Sequence, residues 1–515
     1  MSLPEDSVGA AAGVETPKAA EPSRRSILKG GAVMAAGLSA PAAAFQAFLS
    51  KPAQARGRRI SPDYGPLVEV VDPNTGLPLL KLPRGFEYVS FGITGDVMAD
   101  GSETPGGHDG MAVVRQIGSR RVVLVRNHEL SGGTPFGPAG TPTFSSEARG
   151  GTTNLVFDRR SGRLLEDWAS LTGTVRNCAG GPNPARRSWI TCEETTTEGH
   201  GYIFEVPGSG TASAVPIRDA GRFSHEAVAV DPYTDEVYET EDSGIAGFYR
   251  FIPHRGRNLE RGGRLQMLRI KGSDAPVNLN GGNASRNQLA LDFDLPEGGP
   301  IEIGESFDVE WVDIANPDPT PSETPVVAQG IAAGGAFFTR GEGAWYSNGS
   351  VFFTSTDGGE ARQGQVWEYD IRERKLTLIF ESVDAFALNN PDNITVARGG
   401  GILLCEDGGG IRDDQGNIVR GEQLVGLSRD GDLFPFAENN IVIPNDQTVG
   451  GLTGDQRRRE WAGATFTRDG RWLFVNIQTP GITFAITGPW YQGPLGNFGG
   501  GKDFDDDKDF DDDDE

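Results

Sequence analysis

Two segments near the middle of the chain, Arg176-Asn177-Cys178-Ala179-Gly180-Gly181 and Trp189-Ile190-Thr191-Cys192-Glu193-Glu194, form the unit that decides the fold. The first segment places a cysteine beside a turn of small residues, and the second is a short apolar strand that ends in two carboxylates. A thiolate, the backbone amides of a Gly-Gly turn and two carboxylates in one hairpin can together hold metal ions and an anion. The alternative is a buried cysteine in a turn, followed by two solvated glutamates.

Units of a similar kind recur from about Gly57 onward. Each is a short strand with alternating apolar residues, a turn rich in Asp and Gly, and a second strand that ends in polar residues. Examples are residues 152–157 with 164–166, 227–230 with 237–240, and 463–466 with 472–475. The units have no strict period, which is typical of a β-propeller built from small antiparallel sheets.

We therefore predict an all-β fold, a β-propeller of six blades, in preference to paired sandwiches or a large barrel. The preference rests on the polar strand ends, because in a propeller such ends converge on a central tunnel. Residues 271–325 are poorer in strand patterns and rich in Asn, Pro and Gly. We predict that they form an inserted loop region over one face.

The two ends of the chain differ from its middle. Ser23-Arg24-Arg25-Ser26 precedes a weakly hydrophobic Gly/Ala-rich run, and Ala53-Gln54-Ala55 resembles a cleavage site, so residues 1–55 are predicted to be a twin-arginine-type signal peptide. A membrane anchor is the alternative, but Pro41 interrupts the apolar run. Residues 56–493 are then the propeller catalytic domain of a protein in the periplasm or outside the cell. Residues 494–515, Gly-rich and then acidic, are predicted to be a disordered tail.

Composition narrows the classes of function. A net charge of −25 argues against a nucleic-acid partner and suits a protein that holds several hard cations. Three cysteines fit no disulfide framework, and five histidines make a histidine-rich zinc site a poor interpretation. The Gly-rich runs lack the helix pattern of a nucleotide-binding fingerprint.

Acidic and amide residues stand at predicted strand ends in six places: Asn127-His128-Glu129, Cys192-Glu193-Glu194, His225-Glu226, Glu241-Asp242, Arg340-Gly341-Glu342, and Pro391-Asp392-Asn393 with Glu406-Asp407. Carboxylates that converge repel one another unless cations neutralise them. Oxygen ligands suit calcium, whereas a thiolate with carboxylates suits a trivalent or transition-metal ion. Metals beside an arginine are the groups that phosphoryl transfer requires.

Four segments, in this order behind the twin-arginine-like signal, resemble the PhoX family of alkaline phosphatases. They are Asn177-Cys178-Ala179-Gly180-Gly181, Thr191-Cys192-Glu193-Glu194, Gly221-Arg222-Phe223-Ser224-His225-Glu226-Ala227 and Asn476-Ile477-Gln478-Thr479-Pro480-Gly481. The resemblance extends from about Val68 to Ile486. It implies a six-bladed propeller that hydrolyses phosphate monoesters at a centre of iron, as Fe(III), and calcium, Ca2+.

The resemblance also implies roles for individual residues. Cys178, Glu226 and Glu342 would ligate iron, and Arg340 would bind the phosphate, so Arg340 and Cys178 are the expected catalytic residues. Candidates for calcium are Glu129, Glu194, Glu241 and Asp392. We expect a monomer that uses the twin-arginine export machinery and has no stable membrane anchor.

The chain departs from the family pattern in two places. Residues 182–187 replace the usual Thr-Pro-Trp, and Thr479 stands where the family has histidine; we expect both to touch loops near the site and to affect substrate preference and, to a lesser degree, activity. Two other functions stay open. One is a calcium-dependent propeller hydrolase of another class, a lactonase or phosphodiesterase, which would tolerate loss of Cys178. The other is a non-catalytic calcium-binding propeller, which would tolerate loss of Arg340.

Overall fold

The computed structural model describes residues 63–254, 258–282 and 295–496, so the predicted signal peptide and most of the predicted tail lie outside the described residues. Within these ranges there is one α-helix, α1 (Val326–Ala332), and short 3-10 turns occur at Arg218–Ala220, Leu259–Arg261 and Trp490–Gln492. The strands are β1 (Leu67–Val70), β2 (Leu80–Pro83), β3 (Glu87–Phe91), β4 (His108–Ile117), β5 (Arg121–His128), β6 (Gly150–Asp158), β7 (Arg163–Thr174), β8 (Asn177–Asn183), β9 (Ser188–Glu193), β10 (Ile203–Pro207), β11 (His225–Val230), β12 (Val237–Glu241), β13 (Phe248–Pro253), β14 (Gly263–Ile270), β15 (Ser306–Asp313), β16 (Gly341–Ser347), β17 (Ser350–Ser355), β18 (Gln365–Asp370), β19 (Lys375–Glu381), β20 (Pro391–Val396), β21 (Ile402–Glu406), β22 (Ile411–Arg412), β23 (Ile418–Arg420), β24 (Gln423–Leu427), β25 (Leu433–Asn439), β26 (Val442–Ile443), β27 (Gly454–Asp455), β28 (Trp461–Phe466), β29 (Trp472–Ile477) and β30 (Ile482–Thr487).

The predicted strand–turn–strand units are present. Strands β6 and β7 cover the unit predicted at residues 152–166, and the turn between them begins at Asp158. The Asp158 carboxylate accepts hydrogen bonds from the backbone N–H of Arg160 at 2.8 Å and of Ser161 at 3.2 Å, and Gly162 takes the left-handed conformation with φ of 63°. An aspartate and a glycine at these turn positions explain why the chain reverses there.

Most of these units join into antiparallel meanders. Strands β4-β5-β6-β7 form one sheet, β8-β9-β10 a second, and β28-β29-β30-β3 a third. A six-stranded sheet has the order β1-β2-β25-β24-β21-β20, and a nine-stranded sheet has the order β11-β12-β13-β14-β15-β19-β18-β17-β16. The all-β prediction is therefore confirmed for the described part of the chain.

One strand from each unit faces a common centre. Strands β4, β8, β11, β16, β20 and β28 pack side by side in this order, and β28 packs against β4, so the six strands form a closed ring. This is a propeller-like arrangement, as the repeated units predicted. The backbones approach closely: a Cβ on Gly110 of β4 would lie 2.6 Å from the Cα of Ala179 on β8. Glycine is needed where two backbones come this near.

Apolar side chains fill the wedges between neighbouring sheets. Between the first and last sheets lie Phe91, Val122, Leu124, Phe157 and Phe474, all buried. Each such side chain contributes about 1.5–3 kcal/mol by leaving water. Packing of this kind fixes the inner ring of strands, on which the site is built.

The ring is closed by strands from opposite ends of the chain. Strand β3 pairs antiparallel with β30, with Glu87 opposite Thr487 and Phe91 opposite Thr483. The sheet that contains β28, near the end of the described chain, is therefore completed by a strand from near its beginning. The described fold also includes Leu495, which is buried in the core although it falls within the predicted tail.

The predicted insertion differs from its expectation. Residues 283–294 of it lie outside the described part of the chain, but Ser306–Asp313 forms strand β15. This strand pairs with β14 on one side and β19 on the other, so it lies at the outer edge of two units instead of over a face. The alternating sequence Phe307-Asp308-Val309-Glu310-Trp311 carried a strand signal that the Asn and Pro content of the region obscured.

Candidate metal centre

The same backbone position carries a possible metal ligand in five of the six inner strands. The second residues of β4, β8, β11, β16 and β20 are Asp109, Cys178, Glu226, Glu342 and Asp392. All five are buried. At the corresponding point of β28 the chain has Gly463, as judged from the pairing of Ala462 with Asn476.

The pairing register shifts at each of these positions. The shift lies between His108 and Met111 in β4, between Asn177 and Gly180 in β8, and between His225 and Val228 in β11. The same shift occurs in β16, β20 and β28. A β-bulge re-aims the side chains next to it. The repeated bulge thus accounts for side chains from separate strands meeting at one end of the ring.

Hydrogen bonds from the neighbouring unit hold the ligand-bearing backbone. Nδ2 of Asn127 donates to the carbonyl of Cys178 at 2.9 Å, and Nδ2 of Asn476 donates to the carbonyl of Asp109 at 2.6 Å. The Thr354 hydroxyl donates to the carbonyl of Asp392 at 2.8 Å, and the Thr240 hydroxyl donates to the carbonyl of Glu342. In each case a polar residue on the second strand of one unit fixes the inner strand of the next.

The potential ligands form three groups in which the ligand atoms lie within 4.8 Å of one another. We name them the Cys178 group, the Asp392 group and the Asp109 group. Their members are Cys178, Glu194 and Glu226; then Glu226, Glu342 and Asp392; then Asp109, Glu129 and Glu460. Because Glu226 belongs to two groups, a single carboxylate links the Cys178 thiol to the acids of the Asp392 group.

Unpartnered atoms show that the groups fit cations. Both carboxylate oxygens of Glu226 are buried without a hydrogen-bond partner among the described residues, and so is Oδ1 of Asp109. A buried carboxylate without a hydrogen-bond donor is costly, and such atoms call for a cation or a proton. A thiolate and two carboxylates in one group, and three carboxylates in another, are suitable donor sets for metal ions.

The electrostatics agree with this interpretation. Burial, reinforced by neighbouring carboxylates, raises the pKa of Asp109, Glu226 and Glu342 well above the ordinary range. Burial and the nearby acids likewise raise the pKa of the Cys178 thiol. Without a cation, burial therefore favours the neutral forms of these groups. A bound metal ion reverses this balance, since it favours the deprotonated ligands.

Arg340 lies at the edge of the Asp392 group. Its Nε and Nη2 donate to the two carboxylate oxygens of Asp242 at 2.8 and 2.9 Å, and Nη2 also donates to Oε1 of Glu342 at 2.6 Å. The backbone is left-handed, with φ of 43°, and the side chain is 42% exposed. The guanidinium is therefore oriented by Asp242 and remains open to a ligand from the solvent side.

A second arginine occupies the equivalent place two units earlier. Arg176 also precedes an inner strand and is also left-handed, with φ of 50°. Its Nη2 lies 2.8 Å from Oε1 of Glu129 and contacts the Glu194 carboxylate, and its Nε donates to the carbonyl of Glu194 at 3.1 Å. The side chain bridges the Asp109 and Cys178 groups, and sequence analysis did not assign it to the site.

The structure brings together most of the residues singled out from the sequence. Cys178, Glu226, Glu342 and Asp392 lie in the two groups that share Glu226; Glu194 joins the first of them, and Glu129 lies in the Asp109 group. Glu241 is placed differently: its Oε2 accepts hydrogen bonds from the Tyr249 hydroxyl at 2.6 Å and the Gly247 N–H at 2.9 Å, outside the three groups. Its neighbour Asp242 faces Arg340 instead.

Two acids of the Asp109 group were missed. Asp109 stands in His108-Asp109-Gly110 at the start of β4, and Glu460 directly precedes β28. Each is a lone acid in its segment, without the paired carboxylates that marked the other strand ends. Asp109 has a positional signal, because it is the second residue of its inner strand as in the other units, whereas Glu460 lies before β28 and has no such signal.

The two departures from the family pattern differ in their relation to the site. Residues 184–187 form the turn between β8 and β9, at the opposite end of β8 from Cys178, so the expectation that this departure lies near the site was wrong. Five residues of extended chain separate the two by roughly 16 Å. Thr479 follows Gln478, whose Nε2 donates to Oε2 of Glu129 at 2.6 Å, so this departure does border the Asp109 group.

The fold is a ring of antiparallel sheets. At one end of its inner strands lie buried carboxylates, a thiol and an exposed arginine, and this combination defines a propeller metalloenzyme. The model of the alkaline phosphatase PhoX family matches residues 62–481, and the chain belongs to this family. Membership confirms the prediction of a metal-dependent alkaline phosphatase, a phosphoric monoester hydrolase.

The fold is similar to that of one solved structure in particular. The structure of Pseudomonas fluorescens PhoX in complex with vanadate, a transition-state analogue, is 17% identical, covers 85% of this chain and 100% of its own, and superposes with a TM-score of 0.56. A gluconolactonase from Xanthomonas campestris is 14% identical over 84% of this chain and 99% of its own, with a TM-score of only 0.34. No curated protein sequence matches the chain.

None of the described helices has the length and apolar character needed to span a membrane.

Proposed function

We propose that this protein hydrolyses phosphate monoesters at a mixed centre of Fe(III) and Ca2+ ions on the axis of a six-bladed propeller. The observation that carries the proposal is Glu226, a fully buried carboxylate with both oxygens unpartnered, shared by the Cys178 and Asp392 groups. A carboxylate in this position is suited to bridging two cations.

The division of the two large sheets supports six blades. The nine-stranded sheet consists of two four-stranded meanders, β11–β14 and β16–β19, joined at their outer edges by β15. The six-stranded sheet is a four-stranded unit, β20-β21-β24-β25, extended by β1 and β2. With the remaining three sheets this division gives six units, one for each inner strand of the ring.

The donor sets support two kinds of metal ion. Cys178 offers a thiolate beside two carboxylates, a set that suits a trivalent or transition-metal ion and is consistent with iron. The Asp109 group offers carboxylate oxygens only, which suits calcium. We further propose that Glu342 and Asp392 complete the centre on the side of Arg340.

Arg340 is the proposed phosphate-binding residue. Its guanidinium is fixed by the bidentate pair with Asp242 and reaches Glu342, a member of the Asp392 group, so it can hold a phosphate against the metal centre. When bound, the metal ions would neutralise the phosphoryl oxygens and activate a nucleophile. The vanadate in the Pseudomonas fluorescens protein mimics the transition state of the same class of reaction.

The rest of the chain's contribution is positioning. Asp242 keeps the Arg340 side chain aimed at the site, and the amide and hydroxyl bonds from Asn127, Asn476 and Thr354 fix the backbone of three ligand residues. Phosphoryl transfer depends mainly on positioning and charge neutralisation, so a rigid inner ring is suited to it.

We also propose that residues 1–55 direct export through the twin-arginine machinery, and that the mature protein acts as a monomer in the periplasm or outside the cell. The paired Arg24-Arg25, the weakly hydrophobic run and the A-x-A-like site support this proposal.

The test is elemental analysis of the purified protein together with hydrolysis of p-nitrophenyl phosphate, for wild type, Cys178→Ala and Cys192→Ala. Cys192 is a matched control, because it is equally buried but lies in an apolar core cluster. We expect iron, calcium and alkaline turnover in the wild type and in Cys192→Ala, and loss of iron and activity in Cys178→Ala. Full iron content and turnover in Cys178→Ala would refute the assignment of the thiol.

A further inference from the structure

A cavity of about 670 Å³ lies beside Arg340, which forms part of its wall. Its walls come from three units: Asp242 follows β12, Asp357 and Arg362 lie between β17 and β18, and Asn390 precedes β20. Its volume is in the range of pockets that bind small molecules. No residue of the three ligand groups lines it, so it is distinct from the metal centre.

The lining of this cavity is more polar than that of most small-molecule pockets. Small-molecule pockets are mostly lined by apolar and aromatic side chains. Here the walls carry two arginines, three aspartates, an asparagine and a glutamine. Ala361 contributes the one purely apolar side chain of the lining. An aryl or alkyl group would desolvate these polar side chains without replacing their hydrogen bonds.

Arg362 is held in place as firmly as Arg340. Its Nε and Nη2 donate to the two carboxylate oxygens of Asp357 at 3.1 and 2.7 Å, which leaves Nη1 outside the pair. Its backbone carbonyl accepts hydrogen bonds from Nε2 of Gln363 at 3.2 Å and Nδ2 of Asn390 at 3.5 Å. The cavity is thus flanked by two arginine–aspartate pairs, each with an oriented guanidinium.

The balance of charge indicates the kind of ligand. The lining contains three carboxylates, from Asp242, Asp357 and Asp407, and two guanidinium groups, from Arg340 and Arg362. The cavity therefore has no excess of positive charge that would bind a second phosphate. Hydroxyl groups both donate and accept hydrogen bonds, and they match walls where guanidinium donors alternate with carboxylate acceptors. The lining therefore favours a neutral alcohol with several hydroxyls.

We propose that this cavity is the leaving-group subsite and that the preferred substrates are phosphate monoesters of sugars or other polyols, with Arg362 as a specificity-determining residue. The inference rests on the proposed function, since it takes the phosphate of the substrate to be bound at Arg340. A phosphate held there between the guanidinium and the metal centre directs its ester oxygen toward the adjoining cavity. The alcohol then occupies the space beside Arg362.

The test compares a polyol ester with an aryl ester on the metal-loaded, full-length protein. Values of kcat/KM for glucose 6-phosphate and p-nitrophenyl phosphate are measured for wild type, Arg362→Ala, Arg362→Lys and Arg218→Ala. Arg218 is the control, since it is an exposed arginine paired with Asp318 elsewhere. Inhibition by inorganic phosphate reports whether the metal centre and Arg340 remain intact.

We expect the wild type to prefer glucose 6-phosphate, and Arg362→Ala to lower its kcat/KM about tenfold through loss of a charged hydrogen bond. Turnover of p-nitrophenyl phosphate and inhibition by phosphate should stay within twofold, Arg362→Lys should recover part of the loss, and Arg218→Ala should match the wild type. Equal effects of Arg362→Ala on both esters, or none, would overturn the subsite alone. Absence of turnover of either ester by the wild type would overturn the proposed function and the subsite with it.

Discussion

Substitution of Glu226 by glutamine is the sharpest test of the metal centre. The change keeps the shape of the side chain and removes its charge at the one position that belongs to both the Cys178 and the Asp392 groups. In the metal-free protein, burial raises the pKa of Glu226 well above its ordinary range, which favours the neutral carboxyl. Glu226→Gln therefore replaces one neutral group with another, and the metal-free proteins should differ by less than about 0.5 kcal/mol.

The metal-loaded proteins should differ by much more. A cation present at 100 times its Kd stabilises the wild type by about 2.7 kcal/mol. If loss of the Glu226 ligand weakens binding about 100-fold, the same concentration stabilises the variant by only about 0.4 kcal/mol. The gain from added metal should thus shrink by about 2.3 kcal/mol, and turnover of p-nitrophenyl phosphate should be lost.

The assay is denaturant unfolding with and without added calcium and iron, after treatment with chelator. Glu241→Gln is the control, because Glu241 is also buried but has donors from Tyr249 and Gly247 and should keep the full gain from metal. A Glu226→Gln protein that gains as much from metal as the wild type would refute the assignment of Glu226. Loss of the gain in Glu241→Gln would instead restore Glu241 as a ligand.

Two further predictions concern the charges around the ring. Arg340→Lys removes the bidentate pair with Asp242, so kcat/KM for p-nitrophenyl phosphate should fall about 100-fold while iron and calcium contents stay unchanged; an unaltered kcat/KM would exclude the proposed role. In metal-free protein prepared with a chelator, burial raises the pKa of several acids, and that of Glu194 is about 7. These acids therefore bind more protons in the folded than in the unfolded state. The metal-free protein should therefore lose stability as pH rises from about 4.5 through 7 and beyond, and a urea midpoint that instead increased over this interval would contradict the buried acids.

Much of the fold could be predicted from the sequence because each unit is local. A strand, a turn of the kind made by Asp158 and Gly162, and a second strand are encoded within a few residues, and the repetition of such units indicated a propeller. The metal centre was also predictable in outline, since acids at strand ends of one closed sheet system must meet and repel. Cys178 and Glu226 stood in segments distinctive enough to indicate the family.

The choice between adjacent acids could not be predicted. Glu241 and Asp242 are neighbours, and simple alternation along a strand cannot say which one faces the axis when a bulge shifts the phase of the pairing. The shift between His225 and Val228 on the partner strand decides it, and Asp242 meets Arg340 while Glu241 meets Tyr249. For the same reason the lone acids Asp109 and Glu460 became visible only when the six inner strands were aligned in space.

The pairing of β3 with β30 has a consequence for how the protein is made. Contacts between residues so far apart in sequence raise the contact order, and proteins of high contact order fold slowly because long loops must close first. The inner ring cannot close until the last strands have left the ribosome and met one of the first. The Asp109 group combines Asp109 and Glu129 with Glu460, so this group cannot assemble until nearly the whole chain has been synthesised.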